Sequence, residues 1–167
     1  YNGQTGWHTN KGVTYSTFVS ASKKLGFDSS CDNFINMPDA IWTKIAKGLF
    51  WDSLNLDTLT SEGVAYQLFS WKWGAGSKWY PKLQEYLSQK GISWNGQSNT
   101  MATAINSLLQ KQSERQTISD LDALQVSYYE SLNNPTYIKG WVNRIKETTQ
   151  LAYSKVVDFA KKNESNI

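Results

Sequence analysis

The stretch His8-Thr9-Asn10-Lys11-Gly12-Val13-Thr14-Tyr15 sets the only histidine of the chain beside two hydroxyls, a carboxamide and a phenol. Such groups can hold a water molecule or orient a polar ligand, but hydroxyl and amide groups cannot serve as the acid of a hydrolysis. Nucleophilic catalysis lacks its parts: there is one histidine and no Gly-x-Ser-x-Gly elbow. No glycine-rich loop ends in Lys-Ser or Lys-Thr to cradle phosphate. One cysteine, Cys31, and one histidine do not furnish a zinc site. Asp28 and Asp32 lack the spacing of a calcium loop and read as turn or cap residues. No metal and no cofactor are expected. Carboxylate chemistry on a polymer, or binding without chemistry, remains.

These groups must be positioned by a small scaffold. The chain has 167 residues, 40% hydrophobic and 19% charged, which suits one folded domain. No apolar run approaches the roughly 20 residues that span a bilayer. No signal peptide is visible, although the first residue is not Met, so processing or trimming could have removed one. A net charge of +3 is too weak for nucleic-acid binding, but would suit a mildly anionic polymer such as cell wall. Aromatic content is high, with 8 Trp and 9 Tyr, as in heavily cored chains or in proteins that stack on sugars. Cys31 reads as a small buried hydrophobe.

Helix follows helix. Thr14 caps a segment that ends at Gly26. Pro38 opens a second, in which Ile41, Trp42, Ile45, Ala46, Leu49 and Phe50 form one apolar stripe. Val64, Ala65, Leu68 and Phe69 mark a third, stopped at Gly74 and Gly76. Shorter helices are expected over "YPKLQEYLSQKG" and "TMATAINSLLQKQ". Ser119-x-x-Asp122 reads as the capping box of the next. A last helix runs from about Gly140 to Lys162 with Trp141, Ile145, Ala152 and Val156 inward, ahead of a polar tail. A hairpin could turn at Asn2-Gly3. The fold class is mainly α with a possible small N-terminal β-hairpin, and the break over residues 74–80 is the seam between two halves.

"TNKGVTYSTF" resembles the Thr-Asn-x-Gly-[Ile/Val]-Thr signature of glycoside hydrolase family 108, lysozyme-like muramidases also labelled putative secretion activators. Phe50-Trp51-Asp52 resembles the family's Tyr-Trp-Asp, "SEGVAYQLFSWKWGAG" its following helix, and Gly140-Trp141-x-Asn143-Arg144 its late motif. The resemblance implies a lysozyme-like helical domain over 1–153. Its muramidase-like lobe would be 1–76, a helical lobe resembling a predicted peptidoglycan-binding region 77–153, and a helix end with polar tail 154–167. It implies cleavage of the β-1,4 bond between N-acetylmuramic acid and N-acetylglucosamine, in the cell wall of bacteria, by a periplasmic, secreted or virion-associated protein. Peptidoglycan glycan strands would be the partner.

The family's general acid is a Glu in a Glu-Gly-Gly motif ahead of the Thr-Asn loop. No Glu precedes Glu62 in this sequence, so the acid is expected just upstream of Tyr1. A Glu in an apolar pocket keeps its proton near neutral pH and can protonate the leaving oxygen. Asn10 and Thr14 are then expected to position water or substrate, with His8, Thr9, Tyr15, Trp73 and Trp79 along the sugar-binding cleft. Asn10 and Thr14 read equally as turn and cap residues. Asp52, Asp57 and Glu62 read as structural, and Trp42 and Trp51 as core. Trp71 and Trp73, two apart, cannot both face inward, and Trp73 is expected outward. Trp141 and Arg144 read as locking the last helix. A lytic transglycosylase uses the same acid. An inactive lysozyme-like module that binds wall or serves an assembly is the alternative from another class.

Overall fold

A computed structural model describes residues 8–156. The chain divides between Ser53 and Leu54 into two compact units.

In the first unit, two-residue strands β1 (Thr9–Asn10) and β2 (Val13–Thr14) pair antiparallel, Thr9 opposite Thr14 and Asn10 opposite Val13. The turn is Lys11-Gly12, with φ of 50° and 79°. Positive φ at both turn residues is what a two-residue hairpin needs to match strand twist. Asn2-Gly3, the turn anticipated from the sequence, lies outside the described residues.

Helix α1 (Tyr15–Leu25) follows at once. Thr14 Oγ1 accepts the Thr17 N–H, and Gly26 closes the helix in the left-handed region at φ 77°. Its inner face, Phe18 and Ala21, is sealed from solvent, and Phe18 packs against Phe27 and Phe34. Helix α2 (Cys31–Ile35) is capped by Ser30, to whose hydroxyl Asp28 provides an acceptor at 2.7 Å. Helix α3 (Asp39–Ile45) starts after Pro38, then relaxes into a π-helical turn over Ala46–Trp51 and a 3₁₀ turn over Asp52–Leu54. The apolar spacing suggested one continuous helix. A π turn keeps the same residues on nearly the same side, so spacing alone does not reveal it.

The second unit is helical. Helix α4 (Glu62–Ala75) packs against α7 (Glu114–Ser131) and α8 (Ile138–Ser154), while α5 (Tyr80–Gln89) and α6 (Met101–Lys111) pack on α7. Ser61 caps α4 and Gly76 ends it. Gly74, anticipated as a stop, is inside the helix and serves packing instead. A Cβ on Gly63 would meet the Ala152 carbonyl oxygen at 2.5 Å, and one on Gly74 would meet Trp141 at 2.6 Å. Both glycines of α4 therefore let α8 approach, running antiparallel. Ser113, not Ser119, caps α7, because its hydroxyl accepts the Gln116 N–H. Helix α8 starts earlier than the sequence suggested, and the tail beyond Val156 lies outside the described residues. The break at residues 74–80 lies within this unit. Trp71 before it stacks on Trp79 after it, ring centroids 4.1 Å apart at 15°, a contact worth about 1 kcal/mol beyond area burial.

Candidate functional site

The hairpin and the start of α1 gather five of the residues singled out for chemistry: His8, Thr9, Asn10, Thr14 and Tyr15. The gathering follows from the ladder. His8 carbonyl accepts the Tyr15 N–H at 2.9 Å, so Thr9 and Thr14 form the next, non-hydrogen-bonded pair, in which side chains stand closest. Alternation then puts Thr9 and Thr14 on one face and Asn10 and Val13 on the other. Val13 is buried and Thr9 is exposed, which fixes the sense.

Asn10 and Thr14 therefore do not share a face, as joint positioning of one water would require. The Asn10 amide donates to the Phe34 carbonyl at 2.9 Å and the Ile35 carbonyl at 3.0 Å. These carbonyls end α2 and lack partners within so short a helix. Asn10 thus staples the hairpin to α2. Lys11 continues the attachment, its ammonium 2.9 Å from both the Met37 carbonyl and the Asp39 carboxylate. The Trp42 indole N–H donates to the Lys11 carbonyl at 3.0 Å. Trp42, anticipated as core, is half-buried because it reaches the hairpin tip.

The outward face is a run of hydroxyls. Thr14 Oγ1 donates to Thr17 Oγ1 at 2.9 Å, accepts the Thr17 N–H at 3.2 Å and lies 3.3 Å from Ser16 Oγ. Thr14 is thus a cap first, with Thr9 opposite it open to solvent. The Tyr15 hydroxyl donates to the Ser29 carbonyl at 3.0 Å and accepts from Cys31 Sγ at 3.7 Å. The hydrogen bond with Cys31, with partial burial, raises the phenol above its ordinary value. Its ring packs on Phe34 at 5.1 Å. Cys31, anticipated as a small buried hydrophobe, is only half-buried, its thiol donating to this hydroxyl. His8 is half-buried at the entry to β1.

The aspartates of this unit are exposed and have polar neighbours: Asp28 with Ser30, Asp32 with Asn36, Asp39 with Lys11, Asp52 with Lys47 at 2.7 Å. None sits in the apolar pocket a general acid needs. Among the described residues no group of three or more His, Cys, Asp or Glu side chains could hold a metal ion.

Trp73 and Trp79 belong to the second unit. Trp73 is half-exposed, 6.1 Å from Phe69 one turn earlier, while Trp71 is sealed inside, as the two-residue spacing required. Trp79 is 0% exposed, its indole N–H donating to the Gly76 carbonyl, and Tyr80 is 8% exposed. Neither can touch a sugar. The left-handed turn at Gly76 folds the chain back and puts both rings into the core. Trp141, half-buried, does lock α8: its ring stacks on Tyr129 at 4.8 Å and 9°, with the Arg144 guanidinium over it at 5.4 Å. The staple of Lys11 and Trp42 was not read from sequence. A lysine before glycine in a tight turn was its one visible signal.

Residues 2–76 match the family model described as Glycosyl hydrolase 108. The solved structure of Brucella abortus SagA superposes with a TM-score of 0.70 at 21% identity, covering 96% of this chain and 87% of that one, so the two share a fold. No curated protein matches the chain.

Proposed function

From the match of residues 2–76 to the glycosyl hydrolase 108 family model we propose that this chain is a peptidoglycan hydrolase of the muramidase type. The bond cut is the β-1,4 link between N-acetylmuramic acid and N-acetylglucosamine, and the protein works at the bacterial cell wall. The observation that carries the reading is the hairpin itself. It lies within the matched segment, and the side chains of Asn10 on β1, Lys11 in the turn and Trp42 on α3 hold it so that Thr9 and Thr14 face outward together. Hydroxyls fixed in this way can orient a sugar N-acetyl group or a water with little reorganisation. They need an acid, and the reading assigns that to a glutamate ahead of Tyr1. Within the site Thr14 and Thr9 contact substrate, His8 stands at the entry to β1 on the Asn10 side of the ladder, and Asn10 acts through the backbone it holds.

The second reading, a lysozyme-like module that binds wall without cutting it, is favoured by one observation: the described aspartates of the first unit are all exposed.

Purified peptidoglycan incubated with the full-length natural protein separates the readings. Muropeptides ending in reducing muramic acid support hydrolysis, and 1,6-anhydro ends indicate a lytic transglycosylase. Sedimentation with the wall and no released products would overturn the enzyme reading.

A further inference from the structure

Gly140 has no reason in the fold. It lies in the first turn of α8 without a positive φ, and a Cβ built on it would meet nothing within 4 Å. Alanine would favour the helix more. Gly63 and Gly74, by contrast, are demanded by close packing. What Gly140 does is leave bare the floor of an open groove of about 360 Å³, lined also by Thr136, Tyr137, Trp141 and Arg144. A neighbouring cavity of about 110 Å³ shares Tyr137 and Trp141 and extends the surface to Leu132. Tyr137 is 62% exposed and Leu132 53%, two of the four large hydrophobics so exposed among the described residues.

Sugars are poor occupants here. A pyranose stacks on a free aromatic face, but Tyr129 covers one face of Trp141 and the Arg144 guanidinium lies over the ring, which leaves Tyr137 as the one exposed ring of the groove. The lining is mostly carbon, with few groups to meet the hydroxyls of a sugar leaving water. Arg144 forms no ion pair with a carboxylate among the described residues, and Glu147, a turn further along α8, is exposed. Lys139 adds a second exposed cation beside Gly140. Trp, Tyr and Arg gathered around a bare pocket are the residue types that dominate protein–protein binding energy.

We propose that this groove docks a protein segment that places a bulky aliphatic or aromatic side chain over Gly140 and an Asp or Glu carboxylate on Arg144. The site is independent of the glycan reading of the first unit and lies outside the matched residues 2–76.

A random-peptide display library selected on the immobilised protein tests it. Enriched peptides, once synthesised, should share a carboxylate beside Leu, Ile, Phe or Trp. Their affinity, read by fluorescence polarisation, should fall at least about tenfold in both Gly140→Leu and Arg144→Gln, and stay unchanged in Thr103→Ala on α6. Far-UV circular dichroism checks folding, and Arg144→Gln carries the test if the leucine variant fails to fold. The proposal is overturned if no peptide is enriched, if enriched peptides lack carboxylates, if neither variant weakens them, or if N-acetylchitotetraose displaces them.

Discussion

Gly74 and Trp141 meet at the distance where a methyl group cannot fit: a Cβ on Gly74 would stand 2.6 Å from the indole Cζ3 and 2.8 Å from the Tyr129 hydroxyl. The indole is held between Tyr129 and Arg144, so it cannot swing aside. Gly74→Ala is expected to destabilise the protein by about 1–3 kcal/mol despite the better helix propensity of alanine. Urea denaturation followed by tryptophan fluorescence measures this. Gly140→Ala, on α8 with open space around it, should change stability by less than about 1 kcal/mol and in the favourable direction. Equal losses in the two variants would refute the packing account.

Asn10 should behave as a staple. Asn10→Ala removes two hydrogen bonds and leaves the Phe34 and Ile35 carbonyls at the end of α2 without their partner, at a cost of about 1–2 kcal/mol. Asn10→Asp is no rescue, since a carboxylate cannot donate to carbonyls. Thermal unfolding of both variants reads the loss. Wall hydrolysis by Asn10→Ala assayed well below its melting temperature should retain most of its rate, because the amide points away from the outward face. A complete loss of activity with unchanged stability would place Asn10 against substrate instead.

Thr14 carries two roles that substitutions can separate. Thr14→Ala removes the cap of α1 and should cost about 1 kcal/mol. Thr14→Asn keeps a capping acceptor but removes the hydroxyl that donates to Thr17. Stability close to native with wall hydrolysis lowered about tenfold or more is the outcome expected for a substrate-facing hydroxyl. Native activity in Thr14→Asn would leave Thr14 as a cap alone.

The sequence made much of this visible because caps and glycines act locally. Thr14, Gly26 and Pro38 mark helix boundaries through their own backbone or side chain, and each boundary stands where it was expected. Gly74 and Ser119 misled, because their meaning depends on partners far along the chain. A mid-helix glycine reads as a stop until Trp141 is seen against it, and Ser119 reads as a cap until Ser113 is seen capping the same helix earlier. The site divided in the same way. The Thr-Asn signature marked the segment, but Asn2-Gly3 was the turn anticipated from the sequence, and it is the turn at Lys11-Gly12 that sets the register separating Asn10 from Thr14. The burial of Trp79 depends on a left-handed turn at Gly76 and a stack on Trp71, neither of which a run of aromatics declares.

Acid sensitivity of the second unit should centre on Asp120. Burial pushes its carboxyl up, but hydrogen bonds from Tyr86 at 2.6 Å, Gln116 at 2.7 Å and Gln112 at 3.1 Å, with Lys90 at 3.7 Å, outweigh burial and hold it below the ordinary carboxylate value. A folded value below the unfolded one means the stabilisation is present above about pH 4 and is lost as pH falls through the folded value. Burial and the same carboxylate raise the Tyr86 phenol, so its contribution is present below about pH 10 and fades as the phenol ionises in more alkaline solution. Asp120→Asn should therefore lower stability at neutral pH and flatten the acid limb of the melting-temperature profile, while Tyr86→Phe flattens the alkaline limb. Differential scanning calorimetry from about pH 2 to pH 11 reads both limbs. An acid limb equally steep with and without the Asp120 carboxylate would show that acid unfolding starts elsewhere in the chain.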